Sequence, residues 1–547
     1  MMENKAYLRV YTRAIEENYP DGLANSIHMA YSIDGKQFYP FHKNYGILFA
    51  KADILPDDTL LPKGLTKPVI FAAKDKGFYI MAVQTCENGD IDTQAEGKRL
   101  CWYTEDFLCF EESGLVENGI VSPKEATDCI ELDKDLVLRA AEYWTPMRHV
   151  KTQTPENVQV GSVRELEQIC AVAVYSDGSE AIKRVEWETE NIDFNRPGEY
   201  TVRGRVCQER YPFPLARGYG DPVLFRWEDK WYFIATNDNL DDIGIYVREA
   251  DSVSGLFAEG IKEHLILPQD GKRGFVQTFW APEFHVIGGE LYILFAVSNE
   301  KWGPQCHLMR LKKNGSIIRE EDWDNPVRIC KKDGSFLAGD NKITLDMTYL
   351  KTARASYVVW SVRRDIGKST DTGSMLYIAT IDEEEPWRLT SEPVLLTRPL
   401  YGWENVAGTI NNEGPYAFYR DGKVYLTYSG GSANSYTYAV GLLSADAKDD
   451  LLDLASWEKN LWPVLSFYSV EGEYGPGHNA FFYNEDGELM ISYHAETSPD
   501  STLRCDGIRR IHFRKDGSPV FGMSFQEDVN GEVSDVKMKI IIKAQAE

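Results

Sequence analysis

Residues 414–428 read GPYAFYRDGKVYLTY, and this stretch decides the fold because its pattern recurs along the chain. An apolar run crosses a turn of Asp, Gly and Lys and resumes as an aromatic run, which is typical of a β-hairpin. Four other segments share this form: DPVLFRWEDKWYFIAT from Asp221, APEFHVIGGELYILFA from Ala281, DMTYLKTARASYVVW from Asp346 and NAFFYNEDGELMISY from Asn479. Each repeat leaves room for two more strands, so the sequence predicts a five-bladed β-propeller over residues 208–547.

The residues before the propeller also have β patterns. A sixth copy, KPVIFAAKDKGFYIMA from Lys67, has Lys where the copy at Asp221 has Asp, and it predicts a blade-like all-β module over residues 1–130. Residues 172–206 alternate apolar and polar positions around an SDGS turn, which predicts an immunoglobulin-like β-sandwich over residues 131–207. The predicted fold class is therefore all-β, and the alternative for the repeats is a β-sandwich whose turns are similar by accident.

The charge of the chain restricts its partners. Its 547 residues carry a formal net charge of −26, so the phosphates of nucleic acids and of anionic membranes are repelled. Aromatic residues make up 12% of the chain, which suits both β-sheet cores and the binding of sugar rings. A neutral small molecule or glycan fits this composition better than a nucleic acid or a membrane does.

The cysteines and the N-terminus favour a cytoplasmic location. The nine cysteines are an odd number and include no C-x-x-C pair, which is typical of reduced thiols rather than of a disulfide framework or a zinc site. The first residues, MMENKAYLRVYTRAIEENYP, contain no apolar run long enough for a signal peptide. We therefore expect an intracellular protein.

Carboxylates recur where the inner strands of the repeats begin. The segments YGDPVLF, TLDMTYL and NNEGPYAF place Asp221, Asp346 and Glu413 at or beside the repeat starts, and WAPEFH and GPGHNAFF add Glu283 and His478. Each acid alone would be read as a solvated turn residue. Acids at equivalent repeat positions converge on the axis of a propeller, where their mutual repulsion needs a compensating function. An inverting glycosidase uses such a set, since one acid protonates the leaving group and another activates water.

In this order and spacing, the same five segments resemble those of glycoside hydrolase family 43, over residues 209–545. The resemblance implies that Asp221 is the general base, that Asp346 is a third carboxylate that tunes and positions the acid, and that Glu413 is the general acid. It implies a substrate-binding role for Trp280, Glu283 and His478. It also implies an ion, such as calcium, beside His478 on the axis. From the residues alone, His478 can equally be a structural histidine. No cofactor is expected to be required for the chemistry.

The sequences of the GPGHN and NEGP segments are most similar to those in the branch of the family that acts on α-L-arabinofuranosides. We therefore expect an inverting, exo-acting hydrolase that removes terminal α-L-arabinofuranosyl residues from oligosaccharides. The expected partner is an arabinose- or xylose-containing oligosaccharide. The alternatives are a β-D-xylosidase of the same family and a catalytically silent propeller that binds glycan or protein. A silent propeller would be expected to have lost at least one of the three acids, and this chain retains Asp221, Asp346 and Glu413.

Overall fold

The fold is given by a computed structural model that describes residues 4–118, 126–339, 342–406 and 410–543. The ends of the predicted domain ranges at residues 1 and 547 lie outside the described residues. The chain is predominantly β-structure, which confirms the predicted fold class. Within the described ranges, no helix has the length and apolar character needed to cross a membrane.

The N-terminal module consists of antiparallel sheets. Its two larger sheets have the strand orders β10-β1-β2-β3 and β6-β7-β8-β9, and β4 pairs with β5. The strands are β1 Lys5–Tyr11, β2 His28–Ser32, β3 Tyr39–Pro40, β4 Asp53–Ile54, β5 Leu60–Leu61, β6 Lys63–Ala72, β7 Phe78–Cys86, β8 Lys98–Thr104, β9 Glu111–Glu117 and β10 Cys129–Asp133. A short helix, α1, covers Asp21–Ala24.

Helix α2, Lys134–Trp144, completes the core of this module. The Asp133 carboxylate caps the helix, since it accepts hydrogen bonds from the backbone N–H groups of Asp135 and Leu136 at 2.9 and 3.3 Å. Its buried face, which includes Val137 and Trp144, joins the apolar core formed by the N-terminal strands. This helix lies in the range predicted for the sandwich, 131–207, but it packs against the N-terminal sheets.

The immunoglobulin-like unit follows α2. It contains the short helix α3, Val163–Glu167, and a core to which Val185, Val202 and Val206 contribute. Its first five strands are β11 His149–Gln153, β12 Val158–Gln159, β13 Ala171–Tyr175, β14 Glu180–Trp187 and β15 Gly198–Cys207.

Five consecutive antiparallel sheets form the five blades. Blades one and two contain β16 Tyr219–Trp227, β17 Lys230–Asn237, β18 Ile245–Ala250, β19 His264–Leu267, β20 Gln277–Ile287, β21 Glu290–Ser298, β22 Gln305–Arg310 and β23 Val327–Arg328. Blades three and four contain β24 Lys342–Lys351, β25 Ser356–Arg364, β26 Met375–Ile381, β27 Val394–Thr397, β28 Asn412–Arg420, β29 Lys423–Gly430, β30 Ala439–Asp446 and β31 Glu458–Lys459. Blade five contains β32 Tyr474–Tyr483, β33 Leu489–Glu496 and β34 Cys505–Arg510. Contacts between β16, β20, β24, β28 and β32 close the ring, so the first strand of each blade lines the axis.

Each first strand contains a β-bulge at its axial end. The pairing with the second strand shifts between Gly220 and Val223 in blade one, and at the corresponding positions of the other four blades. Two residues of the first strand then oppose one residue of the second, which bends the strand. The first extra residue has a positive φ in all five blades: 58° at Asp221, 48° at Ala281, 52° at Asp346, 55° at Gly414 and 43° at His478.

After the blades, the chain returns to the immunoglobulin-like unit. The hairpin β35 His512–Phe513 and β36 Pro519–Val520 is followed by helix α4, Phe525–Asp528, and strand β37, Asp535–Ile542. Strand β37 pairs with β15 and β12, giving the order β11-β13-β14-β15-β37-β12. This strand lies within the range predicted for the propeller, 208–547, but it belongs to the sheet that precedes it.

The N-terminal module packs directly on blades three and four. Tyr19, Tyr45 and Phe49 share one apolar cluster with Val359 of blade three and Tyr428 of blade four. The backbone of Ala52 also donates a 2.7 Å hydrogen bond to the carbonyl of Leu400. The module is therefore part of the folded body rather than a tethered appendage.

All nine cysteines are free thiols in the structure. The predicted cytoplasmic location stays a prediction.

A buried ionic network joins the propeller to the immunoglobulin-like unit. Asp528, which is 3% exposed, accepts hydrogen bonds from Arg510 Nε at 2.8 Å and from Tyr175 Oη at 2.5 Å. Lys183 Nζ lies 3.4 Å from the same carboxylate. Burial disfavours the charge of Asp528, but Arg510 and Lys183 outweigh it and hold the pKa of Asp528 far below its ordinary value. The carboxylate is therefore ionised at neutral pH.

We expect Asp528→Asn to lower the free energy of unfolding by about 3 kcal/mol, because it removes a buried carboxylate and leaves two buried cations, Arg510 and Lys183, to share the carboxylate of Glu488. Denaturant titration followed by tryptophan fluorescence measures this change. The control is Asp535→Asn, whose exposed pair with Arg205 is worth only about 0–1 kcal/mol. Equal effects of the two substitutions would contradict the importance of the buried network.

Candidate active site

Four of the predicted residues meet at the axis of the propeller. Asp221, Asp346, Glu413 and His478 lie on the first strands of blades one, three, four and five, at or beside the bulges. They are 5%, 2%, 9% and 8% exposed, so four titratable groups share one largely dehydrated site. The bulge bends each strand at the axis, and this is why residues far apart in sequence converge there.

Asp221 is surrounded by positive charge and hydrogen-bond donors. Its Oδ1 lies 3.1 Å from His478 Nδ1 and accepts a hydrogen bond from Arg504 Nη1 at 3.1 Å. Its Oδ2 accepts a hydrogen bond from Thr236 Oγ1 at 2.5 Å. Burial disfavours ionisation, but His478 and Arg504 outweigh burial and hold the pKa of Asp221 well below its ordinary value. Asp221 is therefore a carboxylate at neutral pH.

Glu413 has the opposite electrostatic environment. Burial, followed by the negative charge of Asp346, raises the pKa of Glu413 to about 7. The charge of His478 and the hydroxyl of Tyr438, which lies 3.0 Å from Glu413 Oε1, oppose this rise only in part. A large fraction of Glu413 is therefore protonated at neutral pH, which leaves two carboxyl groups of one site in different protonation states.

Asp346 connects the other two acids. Its Oδ2 accepts hydrogen bonds from Ser361 Oγ at 3.1 Å and from the backbone N–H of Gly414, the residue after Glu413, at 3.2 Å. Burial raises the pKa of Asp346 to about 6, with a further contribution from the charge of Asp221. Asp346 thus fixes the strand that carries Glu413 and supplies the negative charge that keeps Glu413 protonated.

His478 is held on the axis by its backbone and one ring nitrogen. Its N–H donates a 2.8 Å hydrogen bond to Ser429 Oγ, and Nδ1 faces Asp221. Burial opposes protonation of the ring, but Asp221, Asp346 and Glu413 together raise the pKa of His478. Nε2 is buried and has no hydrogen-bond partner in the described part of the chain, so it is free to bind a further group at the axis.

Trp280 and Glu283 lie on the first strand of blade two, but neither is hydrogen-bonded to the three acids. Trp280 is half-buried, and its Nε1 donates a 2.8 Å hydrogen bond to Asp242. Glu283 Oε2 lies 2.6 Å from His285 Nε2. Their predicted roles in substrate binding stay predictions.

The profile of the glycosyl hydrolases family 43 matches residues 211–519, the range that contains all of these groups. The chain belongs to glycosyl hydrolases family 43. A profile of the bacterial Ig-like domain, group 4, matches residues 171–208, within the unit that precedes the propeller.

The relatives of this family 43 chain bear arabinofuranosidase names. The chain is 31% identical over 327 residues to the extracellular exo-alpha-(1->5)-L-arabinofuranosidase of Streptomyces avermitilis, over 58% of this chain and 64% of the relative. It is 33% identical over 288 residues to the protein of that name from Streptomyces chartreusis, over 52% of this chain and 82% of the relative. The structure of the alpha-L-arabinofuranosidase from Lactobacillus brevis matches with a TM-score of 0.50 and 29% identity, over 58% of this chain and 98% of that one. The chain thus spans less than two thirds of the first of these relatives.

The predicted calcium ion can be compared with the donors that the protein supplies. Calcium takes six to eight oxygen ligands. Among the described residues, no group of three or more His, Cys, Asp and Glu side chains is arranged to hold a metal ion. His478 offers the axis one free imidazole nitrogen, a donor that a hard cation does not prefer. The side chains on their own therefore do not fit a calcium site, and the ion stays a prediction.

Besides Thr236 and Ser361, three larger side chains that contact the acids were not among those predicted from the sequence: Arg504, His494 and Tyr438. Arg504 binds Asp221 and also donates a 2.9 Å hydrogen bond from Nε to Asp238. His494 Nδ1 accepts a 3.2 Å hydrogen bond from the backbone N–H of Asp221, and its ring stacks on Tyr438 at 5.5 Å. The signal for His494 was weak: it is a lone histidine in the apolar strand LMISYHAE. Arg504 precedes a strand without a motif, and Tyr438 is one of 30 tyrosines.

Glycines make room for this packing. A Cβ on Gly220 would lie 2.0 Å from the Arg504 guanidinium carbon, and a Cβ on Gly477 would lie 2.2 Å from the Tyr438 ring. A Cβ on Gly414 would lie 2.8 Å from the His478 ring, at a φ of +55°. The glycines of the GDP, NEGP and GPGHN segments therefore let large side chains approach the axis.

Two further buried acids near Arg504 have raised pKa values. Neither carboxyl group of Glu496 or Asp506 has a hydrogen-bond partner within the described ranges. Burial raises the pKa of Glu496 to about 8 and that of Asp506 well above its ordinary value. Burial therefore works against a negative charge on either acid that would compete with Asp221 for Arg504.

We expect Gly414→Ala to lower the free energy of unfolding by about 2–4 kcal/mol, because a left-handed backbone strain of about 1–2 kcal/mol adds to the contact with His478. The control is Gly422→Ala in the turn of the same blade, where φ is +79° and no atom lies within 4 Å of the new Cβ. Denaturant titration compares the two variants. A cost at Gly414 no larger than that at Gly422 would show that the ring of His478 does not need this space.

Proposed function

We propose that this protein is an inverting, exo-acting glycosidase that removes terminal α-L-arabinofuranosyl residues from oligosaccharides. The observation that carries this proposal is the division of protonation states at the axis, where Asp221 is ionised and Glu413 is protonated near neutral pH. This is the pair of states that hydrolysis with inversion requires before the substrate binds.

In the proposed reaction, Asp221 acts as the general base. It removes a proton from a water molecule whose oxygen attacks the anomeric carbon of the sugar. Glu413 acts as the general acid and gives its proton to the glycosidic oxygen as the bond between that oxygen and the anomeric carbon breaks. The cycle leaves a proton on Asp221 and a charge on Glu413, and exchange with solvent restores both groups.

Asp346, Arg504 and Tyr438 act through these two residues. Asp346 keeps the pKa of Glu413 high and holds the backbone of Gly414 beside it. Arg504 keeps the pKa of Asp221 low, and Tyr438 orients the Glu413 carboxyl group. We infer that they position and tune the acid and the base rather than exchange protons with the substrate.

The identity of the sugar that is released is inferred from the names of the relatives. Proteins at 31% and 33% identity are named as exo-acting arabinofuranosidases, which supports the arabinofuranosyl group and the release of chain ends. The N-terminal module, which packs on blades three and four, is in a position to restrict one side of the propeller. Activity on β-D-xylosides is the main alternative outcome of the experiment below.

We expect the protein to hydrolyse 4-nitrophenyl α-L-arabinofuranoside in preference to the matching β-D-xylopyranoside and β-D-galactopyranoside. Asp221→Asn is expected to lower kcat by about 10²–10⁴ on every aryl arabinofuranoside. Glu413→Gln is expected to lose a similar factor on substrates with poor leaving groups, but little on a 2,4-dinitrophenyl substrate, whose leaving group needs no protonation. Initial rates of release of the nitrophenol or dinitrophenol leaving group measure these effects.

The control for these variants is Glu384→Gln, which changes an exposed turn acid and should leave the rates unchanged. Proton NMR of the first product identifies its anomer, and inversion predicts the β-anomer from an α-arabinofuranoside. Hydrolysis with retention would refute the assigned roles. Faster release of nitrophenol from the xyloside than from the arabinofuranoside would support β-D-xylosidase activity instead. If the folded protein releases no nitrophenol from any substrate, the glycan-binding alternative is favoured.

The pH dependence of kcat/KM should follow the protonation of Glu413 and Asp221. We expect kcat/KM to fall as the pH rises through about 7, because Glu413 loses the proton that it donates. Arg504→Ala should move the acidic limb to higher pH, since removal of the cation raises the pKa of Asp221 and the base becomes protonated earlier. Arg504→Lys, which retains the charge, should move this limb less. An acidic limb unchanged in Arg504→Ala would show that Asp221 is not the group that titrates there.

A further inference from the structure

A cavity of about 780 Å³ lies where the N-terminal module, blade four and the hairpin β35–β36 meet. Blade four contributes residues of its second and third strands, such as Tyr425 of β29 and Leu442 of β30. None of the three axial acids lines it. The cavity is therefore separate from the candidate active site, and its volume is within the range of about 300–1,000 Å³ that is typical of small-molecule sites.

Aromatic rings form one wall of this cavity. Trp144 of the N-terminal module and Trp462 of the segment after β31 pack edge to face, with ring centroids 4.8 Å apart. Tyr143 extends the wall, and the guanidinium of Arg514 lies over its ring at 4.5 Å. Trp462 is only half-buried, so part of its ring remains open to a ligand. Such a wall suits the apolar face of a sugar ring, which needs a flat apolar surface.

Polar groups of the cavity are available to a ligand. Trp462 Nε1, the hydroxyl of Tyr425 and the side-chain amide of Asn460 all belong to lining residues. Each lacks a hydrogen bond to any other residue that the structure describes. None of these atoms is among the buried side-chain atoms without a partner, so they are open to solvent and accessible to the hydroxyl groups of a ligand.

The charges around the cavity favour a neutral ligand. Three cations, Lys43, Lys423 and Arg514, face four carboxylates, and the two signs are interspersed. The side chains that provide the carboxylates are Asp106, Asp421, Glu458 and Asp516. The chain as a whole carries a net charge of −26, which repels polyanions at long range. Neither a phosphorylated ligand nor an acidic glycan fits this balance.

We propose that this cavity is a second carbohydrate-binding site, which takes a neutral oligosaccharide outside the propeller axis. Trp462 stacks on a sugar ring, while Asn460 and Tyr425 bind its hydroxyl groups. The site goes beyond the proposed hydrolysis and requires no turnover. It would hold a glycan chain on the enzyme while the axial acids process an end.

Calorimetric titration tests this proposal with the full-length Glu413→Gln protein, which prevents hydrolysis during the measurement. The probes are α-1,5-linked arabinotriose and β-1,4-linked xylotriose. We expect two binding sites for at least one probe, and Trp462→Ala in the same background should remove one of them. Asn460→Ala should weaken that site by about fivefold, the effect of one lost hydrogen bond.

The matched control is Trp227→Ala, which removes a half-buried tryptophan from the first blade and lies outside the cavity lining. Melting temperatures confirm that each variant is folded. A single binding site, or two sites that persist in Trp462→Ala, would overturn the proposal. The hydrolysis rates of the wild-type protein distinguish the proposed function from the second binding site. If the protein binds a glycan at two sites but hydrolyses no substrate, only the proposed function is overturned. If it hydrolyses a substrate but binds at one site, only the second site is overturned.

Discussion

The bulge that bends the first strand of each blade is the constraint on which the candidate active site depends. It places a residue with positive φ at the axis of every blade, and three of these five residues are Asp221, Asp346 and His478. Such a backbone costs about 1–3 kcal/mol at a residue other than glycine. Because the same bend also brings four polar groups into a dehydrated space, the packing of the five blades has to maintain both the strain and the electrostatic repulsion.

Electrostatic asymmetry then gives the acids different properties. Asp221 contacts His478 and Arg504, so it loses its proton easily, whereas burial and the charge of Asp346 raise the pKa of Glu413 more than His478, Tyr438 and Arg363 lower it. All three acids are buried to a similar degree, so burial alone would have raised every pKa. Because His478 lowers the pKa of all three acids, Arg504 is the cation that distinguishes the base from the acid. It comes from the loop before the last strand of the propeller.

The sequence predicted the parts of this arrangement that the repeat carries. The hairpins, the five blades and the axial positions of Asp221, Asp346, Glu413 and His478 follow from a pattern that repeats, and repetition distinguishes a structural position from a chance residue. Arg504 and His494 could not be predicted in this way, because they contact the site from positions without a motif. Strand β37 was missed for a different reason: strand pairing is non-local, and nothing in Asp535–Ile542 indicates that its partner lies more than 300 residues earlier.

The N-terminal module shows how little of the function comes from the backbone alone. Its strand β6 has the same bulge, with a shift in pairing between Thr66 and Val69, and Lys67 at the bulge has a φ of 51°. The sequence copy at Lys67 therefore reproduces the local geometry of the Asp221 position. Lys67, however, is exposed, because the sheet that carries it belongs to a module without the ring of five first strands. A bent strand becomes an active-site strand only where neighbouring blades enclose its bulge and charged partners such as Arg504 set the protonation of its side chain.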